Sequence, residues 1–165
     1  MNEHLSFSEA NIASGAVTEL VGKCSFFSGF NQEEIRILAD WIKAYYYPTG
    51  TFILTEGNQE NCLCILVEGA VDIYKKTEPD KHLKVASIKP GESIGEMGVV
   101  DGQPFSASAI SSLDSVVLII TREDFDRLTD QHETLGVKLL RKISVTISSR
   151  LRNTTGRLAD MMANK

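Results

Sequence analysis

A glycine-rich segment with the sequence PGESIGEMGVVDGQPFSASA (residues 90–109) has the residue types needed to hold a small polar ligand. Gly91, Gly95 and Gly98 can adopt backbone angles closed to other residues and let a ligand approach the main chain. Successive N–H groups in such a loop form an anion site without a lysine. Glu96 is suited to accepting hydrogen bonds from hydroxyls such as those of a sugar. Glycine turns are also common in β-barrels, so the spacing alone leaves a plain turn open.

Short apolar or alternating segments, separated by turn residues, fill the chain on both sides of this loop, from about residue 43 to 120. They predict strands in KAYYY, TFILTE, CLCILVEG, AVDIYKK, HLKVASIK, SASAISS and SVVLIIT. Strands at this spacing, without helical repeats between them, indicate an antiparallel sandwich or small barrel.

Two capping signatures predict helices before and after the strands. In FNQEEIRILADWI, Asn31 is the expected N-cap with Glu34 three residues on, and the helix should end near YYYPTG. In TREDFDRL, Thr121 is the expected N-cap with Asp124 three residues on. Residues 1–14 are polar and unpatterned, so we expect a loosely held tail.

A long helix is expected from about Glu133 to the end of the sequence. One face of it carries a narrow stripe, spaced 4, 3, 4, 3 from position 147 onward and made of Leu140, Ile147, Leu151, Thr154, Leu158 and Met161. This heptad spacing favours a homodimer seam, with packing on the barrel as the alternative.

Composition places the chain among water-soluble globular domains. A length of 165 residues, 42% hydrophobic and 24% charged, is typical of one domain. No window is apolar over the roughly 18 residues that a membrane span requires. The N-terminus lacks the basic start and apolar block of a signal peptide, so we expect a cytoplasmic protein without membrane contact.

The net charge of −5 is unevenly distributed. Residues 133–165 carry seven Lys/Arg against two Asp/Glu, a net of +5, so the rest of the chain carries −10. An acidic body argues against general nucleic-acid binding, which depends on cations facing phosphates. The basic end is expected to be the solvated face of a helix, with an acidic partner as the alternative.

The cysteines and histidines give little support to a metal site or an enzyme. Three cysteines fit reduced thiols, and Cys62 and Cys64 share one face of an apolar strand, so we expect core residues rather than a metal pair. His4, His82 and His132 are too scattered for a metal site of the kind found on jelly rolls. Neither a G-x-S-x-G elbow nor a P-loop lysine motif is present, so no catalytic residues are predicted.

The glycine-rich segment resembles the phosphate-binding cassette of cyclic-nucleotide-binding domains. That pattern runs roughly G-E-(L/M)-(A/G)-L, a few linker residues, then P-R-(A/S)-A. The stretch from FSGFNQEE to DIYKK is similar to the family's opening helix and first strands, and VVLIITREDFDRL resembles its last strand and following helix. The likeness covers about residues 22–155. It implies a mainly β fold, an eight-stranded antiparallel jelly roll with flanking helices and a long C-terminal helix.

The resemblance also implies roles for cassette residues. Glu96 matches the glutamate that binds the ribose 2′-hydroxyl, and Gly95 and Met97 lie in the backbone cradle. Ser106 matches the small residue that donates to the cyclic phosphate.

The long helix contains a second, shorter likeness. RLRNTTGRL resembles the R-L-x-x-T-S segment of the bacterial catabolite activator, which implies that Thr154 and Thr155 meet the adenine across a dimer. A single polar position in an apolar seam can also simply fix the register of the two helices.

Phe105 is the departure from the family pattern, because it stands where the arginine would pair with the cyclic phosphate. No basic residue lies between Pro90 and Ile120 to replace that arginine. Hydrogen bonds to charged groups contribute about 1.5 to 3 kcal/mol, so the loss implies roughly 10- to 100-fold weaker binding. Three interpretations stay open: Phe105 fills a vacated pocket, the ligand has changed, or backbone N–H groups and Ser106 alone hold the phosphate.

We therefore expect a stand-alone regulatory module that binds cAMP, cGMP or a related small ligand, with no other cofactor and no metal. The expected organisation is a tail (1–14), the helical lead-in, jelly roll and short helix (15–132), and a dimerising helix (133–165). Only 13 residues follow Arg152, too few for a helix-turn-helix, so the signal should pass to a separate protein rather than to DNA. The alternative is a degenerate, ligand-free interaction module closed by Phe105.

Overall fold

The computed structural model describes residues 14–78 and 81–164 of the chain. It divides into two compact units, Met1–Asp126 and Arg127–Lys165. The predicted tail at residues 1–14 lies outside the described residues except for Ser14, which begins the first helix. The described strands and the glycine-rich segment all lie in the first unit.

Helices precede the strands in the first unit. They are α1 (Ser14–Lys23), a short 3₁₀ turn (Ser25–Phe27) and α2 (Gln32–Trp41). The predicted capping box is confirmed, since the Asn31 side chain accepts from the Glu34 N–H at 2.9 Å and the Glu34 carboxylate accepts from the Asn31 N–H at 2.8 Å. Helix α2 ends at Trp41, earlier than predicted, because the residues that follow pair as a strand.

The strands form one antiparallel sheet, in agreement with the predicted antiparallel β fold. They are β1 (Lys43–Tyr47), β2 (Phe52–Leu54), β3 (Cys62–Thr77), β4 (Lys81–Ile88), β5 (Ser93–Ile94) and β6 (Ser108–Thr121). The strand order is β1-β6-β3-β4, with β2 also pairing β6 and β5 also pairing β3. Every pairing is antiparallel.

Two strands are longer than the sequence predicted. Strand β3 joins the predicted CLCILVEG and AVDIYKK, and β6 joins the predicted SASAISS and SVVLIIT. The register of β3 against β6 shifts between Leu66 and Val71. Gly69 has φ 94°, and a Cβ there would lie 2.4 Å from the Asp114 carbonyl oxygen. The predicted breaks at EGA and SSLD are therefore wrong, because this close approach lets both strands continue. The described residues form six strands, so the eight-strand count implied by the resemblance stays a prediction.

The interior of the first unit is an apolar cluster contributed by the sheet and the glycine-rich segment. Its members include Tyr45, Tyr47, Ile53, Leu54, Cys62, Cys64, Leu66, Val71, Ile88, Ile94, Phe105, Ala109, Val117 and Ile119. The prediction that Cys62 and Cys64 are core residues is confirmed. Their Sγ atoms lie 3.5 Å apart, and both thiols are free.

Three further helices complete the chain: α3 (Glu96–Asp101), α4 (Arg122–Gln131) and α5 (Glu133–Ala163). The predicted cap of α4 is confirmed, since Thr121 Oγ1 accepts from the Asp124 N–H at 3.1 Å and donates to its carboxylate at 3.0 Å. Helix α5 begins at the predicted residue, and from position 151 to 162 its side chains are exposed. Among the residues that the structure describes, no helix is long and apolar enough to cross a membrane.

Candidate functional site

Strand β5 and helix α3 form the core of the glycine-rich segment. Ile94 of β5 pairs with Cys64 of β3, and Gly95 follows with φ 82°, in the left-handed region that favours glycine. A Cβ at position 95 would lie 2.2 Å from the Cys62 carbonyl oxygen. Glycine is therefore required at position 95, where the backbone leaves the sheet and enters α3. The next residue, Glu96, is the first residue of that helix.

Glu96 is a buried carboxylate, with 3% of the residue exposed. It takes part in polar or electrostatic interactions within the protein, as a buried charge requires. The pKa of the Cys64 thiol is raised by its hydrogen bond with Cys62, by burial, and by the charges of Cys62 and Glu96. The Glu96 carboxylate is thus close enough to the interior of the sheet to raise the pKa of the buried Cys64 thiol. The adjacent Met97 side chain is exposed.

Phe105 belongs to the apolar core rather than to the surface of the loop. It is 5% exposed, and its Cε1 atom lies 3.5 Å from the position that a Gly95 Cβ would take. Its backbone is fixed on both sides, because its N–H donates to the Asn58 carbonyl at 3.0 Å and its carbonyl accepts from the Gly57 N–H at 2.9 Å. The ring therefore packs against the start of the segment that carries Glu96.

A cation from another strand reaches the other end of the segment. The ammonium group of Lys75, on β3, donates to the backbone carbonyl of Ser106, which is itself exposed. Sequence analysis missed this contact because the two residues lie 31 positions apart. The signal available was the alternation in AVDIYKK, where Lys75 follows Val71 and Ile73 on one face of the strand.

Glu56 holds Lys75 in this position. Its Oε1 atom lies 2.5 Å from the Lys75 ammonium, and its Oε2 atom accepts from the Lys76 N–H at 2.9 Å. The Glu56 N–H donates to the Ser108 hydroxyl at 2.9 Å, which ties the residue to β6. The pKa of Glu56 is lowered by its hydrogen bonds with Lys75 and with the Lys76 backbone. The ion pair therefore lies beside the strand that follows the glycine-rich segment.

Tyr47 places a phenol hydroxyl in the interior. It is 1% exposed, and its hydroxyl has no hydrogen-bond partner within the described part of the chain. Its pKa is raised by burial and then by the charges of Cys64 and Cys62. The Tyr47 phenol and the Cys64 thiol are therefore neutral near physiological pH.

The described residues, 14–78 and 81–164, contain no group of three or more His, Cys, Asp or Glu side chains that could hold a metal ion. His82 is exposed on β4, and His132 is the residue before α5. His4 lies outside the described residues.

A match to a family model covers the strands and the glycine-rich segment. The family model of the cyclic nucleotide-binding domain matches residues 45–132, more than half of the chain. The chain belongs to the cyclic nucleotide-binding domain family. Members of this family act as regulatory modules and bind cAMP or cGMP as ligands.

Individual relatives agree with this assignment. The chain is 29% identical over 99 residues to the cyclic AMP receptor protein of Thermus thermophilus, covering 60% of this chain and 46% of that protein. It is 32% identical over 91 residues to the cAMP-dependent protein kinase regulatory subunit of Aspergillus fumigatus, covering 55% of this chain and 21% of that protein. The chain thus spans less than half of these two relatives.

A solved structure extends the similarity to most of the fold. A cyclic nucleotide-binding domain from Methylobacillus flagellatus superposes with a TM-score of 0.78 at 28% identity, covering 90% of this chain and 83% of that one. The jelly-roll fold expected from the sequence is thereby confirmed.

The structure brings some of the predicted ligand residues of this cyclic nucleotide-binding domain into one region. Gly95, Glu96 and Met97 begin α3, and Phe105 packs against Gly95. Ser106 follows directly, before β6. The predicted base-contacting residues Thr154 and Thr155 lie on α5, in the second unit, and both are exposed. Their ligand roles stay predictions.

Proposed function

We propose that this domain is a regulatory module that binds a cyclic nucleotide or a related small ligand in the glycine-rich segment. The observation that carries the proposal is the buried carboxylate of Glu96, placed at the first residue of α3 by the left-handed turn at Gly95. A carboxylate at this position fits the role that the family likeness gives Glu96, which is to accept hydrogen bonds from ligand hydroxyls.

In the proposed complex, each side chain has a defined task. Glu96 accepts hydrogen bonds from ligand hydroxyls, Gly95 and Met97 supply backbone N–H groups, and Ser106 donates to a phosphate oxygen. Thr154 and Thr155 contact the base from α5. The ligand shifts the conformation of α5 only if its affinity differs between two states of the domain. The signal then passes through α5, proposed to form a dimer, to a separate protein.

Phe105 favours a second candidate function, a ligand-free interaction module. Its ring is part of the core cluster and contacts the start of the cassette, where the family has an arginine for the cyclic phosphate. In this alternative the interior is closed permanently, and the domain acts through its surface alone.

Calorimetric titration with cAMP and with cGMP distinguishes the two functions. We expect measurable heat from the wild type and about 10- to 100-fold weaker binding by Glu96→Gln, because hydrogen bonds to a charged group contribute about 1.5 to 3 kcal/mol. Glu92→Gln is the matched control. Glu92 is exposed in the same segment, and its carboxylate accepts a local hydrogen bond from the Lys89 N–H at 2.8 Å.

Thermal unfolding of both glutamine variants would show that they remain folded at the titration temperature. If the wild type gives no heat with either nucleotide at millimolar concentration, the proposal of cyclic-nucleotide binding fails and the ligand-free module is favoured. Equal losses in the Glu96 and Glu92 variants would remove Glu96 from the proposed site.

A further inference from the structure

A phosphate-bearing ligand needs a positive charge that the glycine-rich segment does not contain. No basic residue lies between Pro90 and Ile120, and Phe105 places an apolar ring where the family has arginine. Backbone N–H groups and Ser106 can donate to a phosphate but cannot neutralise its charge. A full counter-charge, in addition to these donors, has to come from a different element of the fold.

Lys75 is positioned by β3 to supply this charge. Side chains of a strand alternate between its two faces, so Lys75 shares a face with Val71 and Ile73. Val71 is part of the core cluster, and Ile73 packs against it. Lys75 therefore continues the interior face of β3 at the point where that face opens to solvent, and its side chain is 47% exposed.

The position of the Lys75 ammonium links it to the expected phosphate contact. It donates to the carbonyl of Ser106, the residue whose hydroxyl is proposed to donate to the phosphate. A carbonyl oxygen satisfies one of the three ammonium donors and leaves the formal charge of the lysine unchanged. A phosphate bound at Ser106 would thus lie near a full positive charge.

Glu56 forms an ion pair with Lys75. One oxygen of its carboxylate lies 2.5 Å from the Lys75 ammonium, and the other accepts a hydrogen bond from the Lys76 N–H at 2.9 Å. The Lys75 side chain is 47% exposed and the Glu56 side chain 17%, so solvent screens the lysine side of the pair and weakens it. A ligand phosphate with additional backbone contacts can replace the carboxylate as the partner of Lys75.

We propose that Lys75 supplies the counter-charge for the phosphate of a cyclic nucleotide in this domain, and that Glu56 competes with the ligand for it. This inference rests on the proposed function, since it names a residue of the same binding site. It predicts opposite effects from neutralising the two partners of one ion pair, which a purely structural ion pair would not produce.

The test is calorimetric titration of cAMP into Lys75→Met, Glu56→Gln and the double variant. Lys75→Met should bind about 10- to 100-fold more weakly than the wild type, as expected for a lost charge-assisted contact. Glu56→Gln should bind a few-fold more tightly, and this gain should vanish in the double variant. Binding of uncharged adenosine should change in none of them.

Lys76→Met is the matched control, because Lys76 is the next residue of β3, is exposed, and points to the opposite face. Its cAMP affinity should equal that of the wild type. If the wild type binds cAMP and Lys75→Met binds it equally well, this inference fails while the proposed function stands. Failure of the wild type to bind either cAMP or cGMP overturns this inference together with the proposed binding of a cyclic nucleotide. Weaker binding by Glu56→Gln would also overturn the competition between carboxylate and ligand.

Discussion

Residue 105 is the position in the cassette where this domain departs from the family pattern. An arginine would bring a cation into the cassette, whereas Phe105 brings an aromatic ring that packs among core residues and against Gly95. Its effect on an anionic ligand is therefore both electrostatic and steric. The two effects can be separated, because a substitution at this position changes the stability of the free protein and the affinity for nucleotide by different amounts.

Phe105→Arg should destabilise the free domain and strengthen cAMP binding. Removing a buried Phe ring typically costs about 3 to 5 kcal/mol, and a charge in its place is uncompensated until a phosphate arrives. Once bound, the phosphate should gain about 1.5 kcal/mol or more from the charge-assisted contact. Urea unfolding measures the first effect and calorimetry the second.

Phe105→Leu is the control for that experiment, because it keeps an apolar side chain and adds no charge. It should lower stability less than arginine does and leave cAMP affinity within a few-fold of the wild type. Unchanged affinity in Phe105→Arg, with the domain still folded, would mean that the cassette does not receive a phosphate.

At the scale of elements, β3 and β6 come close together at Gly69, where their register shifts. Gly69 has a positive φ and lies so close to β6 that a Cβ would be 2.4 Å from both the Asp114 carbonyl oxygen and the Ser115 hydroxyl oxygen. The Ser115 hydroxyl in turn lies 2.7 Å from the Leu113 carbonyl oxygen, to which it donates. Glycine at this position is therefore required by two separate constraints, backbone angle and contact distance.

Gly69→Ala should lower the free energy of unfolding by about 2 to 4 kcal/mol, from left-handed strain and overpacking together. Gly50→Ala is matched to it, because Gly50 also has a positive φ, 85°, but no atom lies within 4 Å of the added Cβ. It should cost only the strain, about 1 to 2 kcal/mol. Urea denaturation of both variants measures the difference, and equal losses would show that the contact with β6 relaxes freely.

The elements that were predicted correctly depend on short-range signals. Asn31 with Glu34, and Thr121 with Asp124, lie three residues apart, so the chain itself brings each capping pair together. The continuity of β3 was not predictable in this way, because it depends on Gly69 meeting a strand more than 40 positions later. The contact between Lys75 and Ser106 was not predictable either, because these residues lie 31 positions apart. Glu96 and Phe105 were recognisable as cassette positions from the family likeness.

At the scale of the whole molecule, α5 presents the predicted seam to solvent in a single chain. Leu151 and Leu158 are 65% and 55% exposed, and Met161 is also exposed. Such a stripe at heptad spacing is stabilised when a second helix covers it. The homodimer stays a prediction, and it can be tested without removing any part of the chain.

The double variant Leu151→Glu with Leu158→Glu should sediment as a monomer, because each dimer would place four carboxylates in an apolar seam. Ser149→Glu with Asn153→Glu is the control, since successive residues turn by about 100° and these two positions lie opposite the seam. It adds the same charge and should remain dimeric. A dimer that survives the leucine substitutions, or a monomeric wild type, would contradict the seam.

The single tryptophan has a practical consequence for all of these measurements. Trp41 ends α2, in the unit that contains the strands, while the 31-residue helix α5 lies in the other unit. Tryptophan fluorescence therefore follows the environment of the jelly roll, whereas far-ultraviolet circular dichroism is dominated by helices. Recording both on one sample separates unfolding of the unit that contains the strands from fraying of the long helix, without a label or a truncated chain.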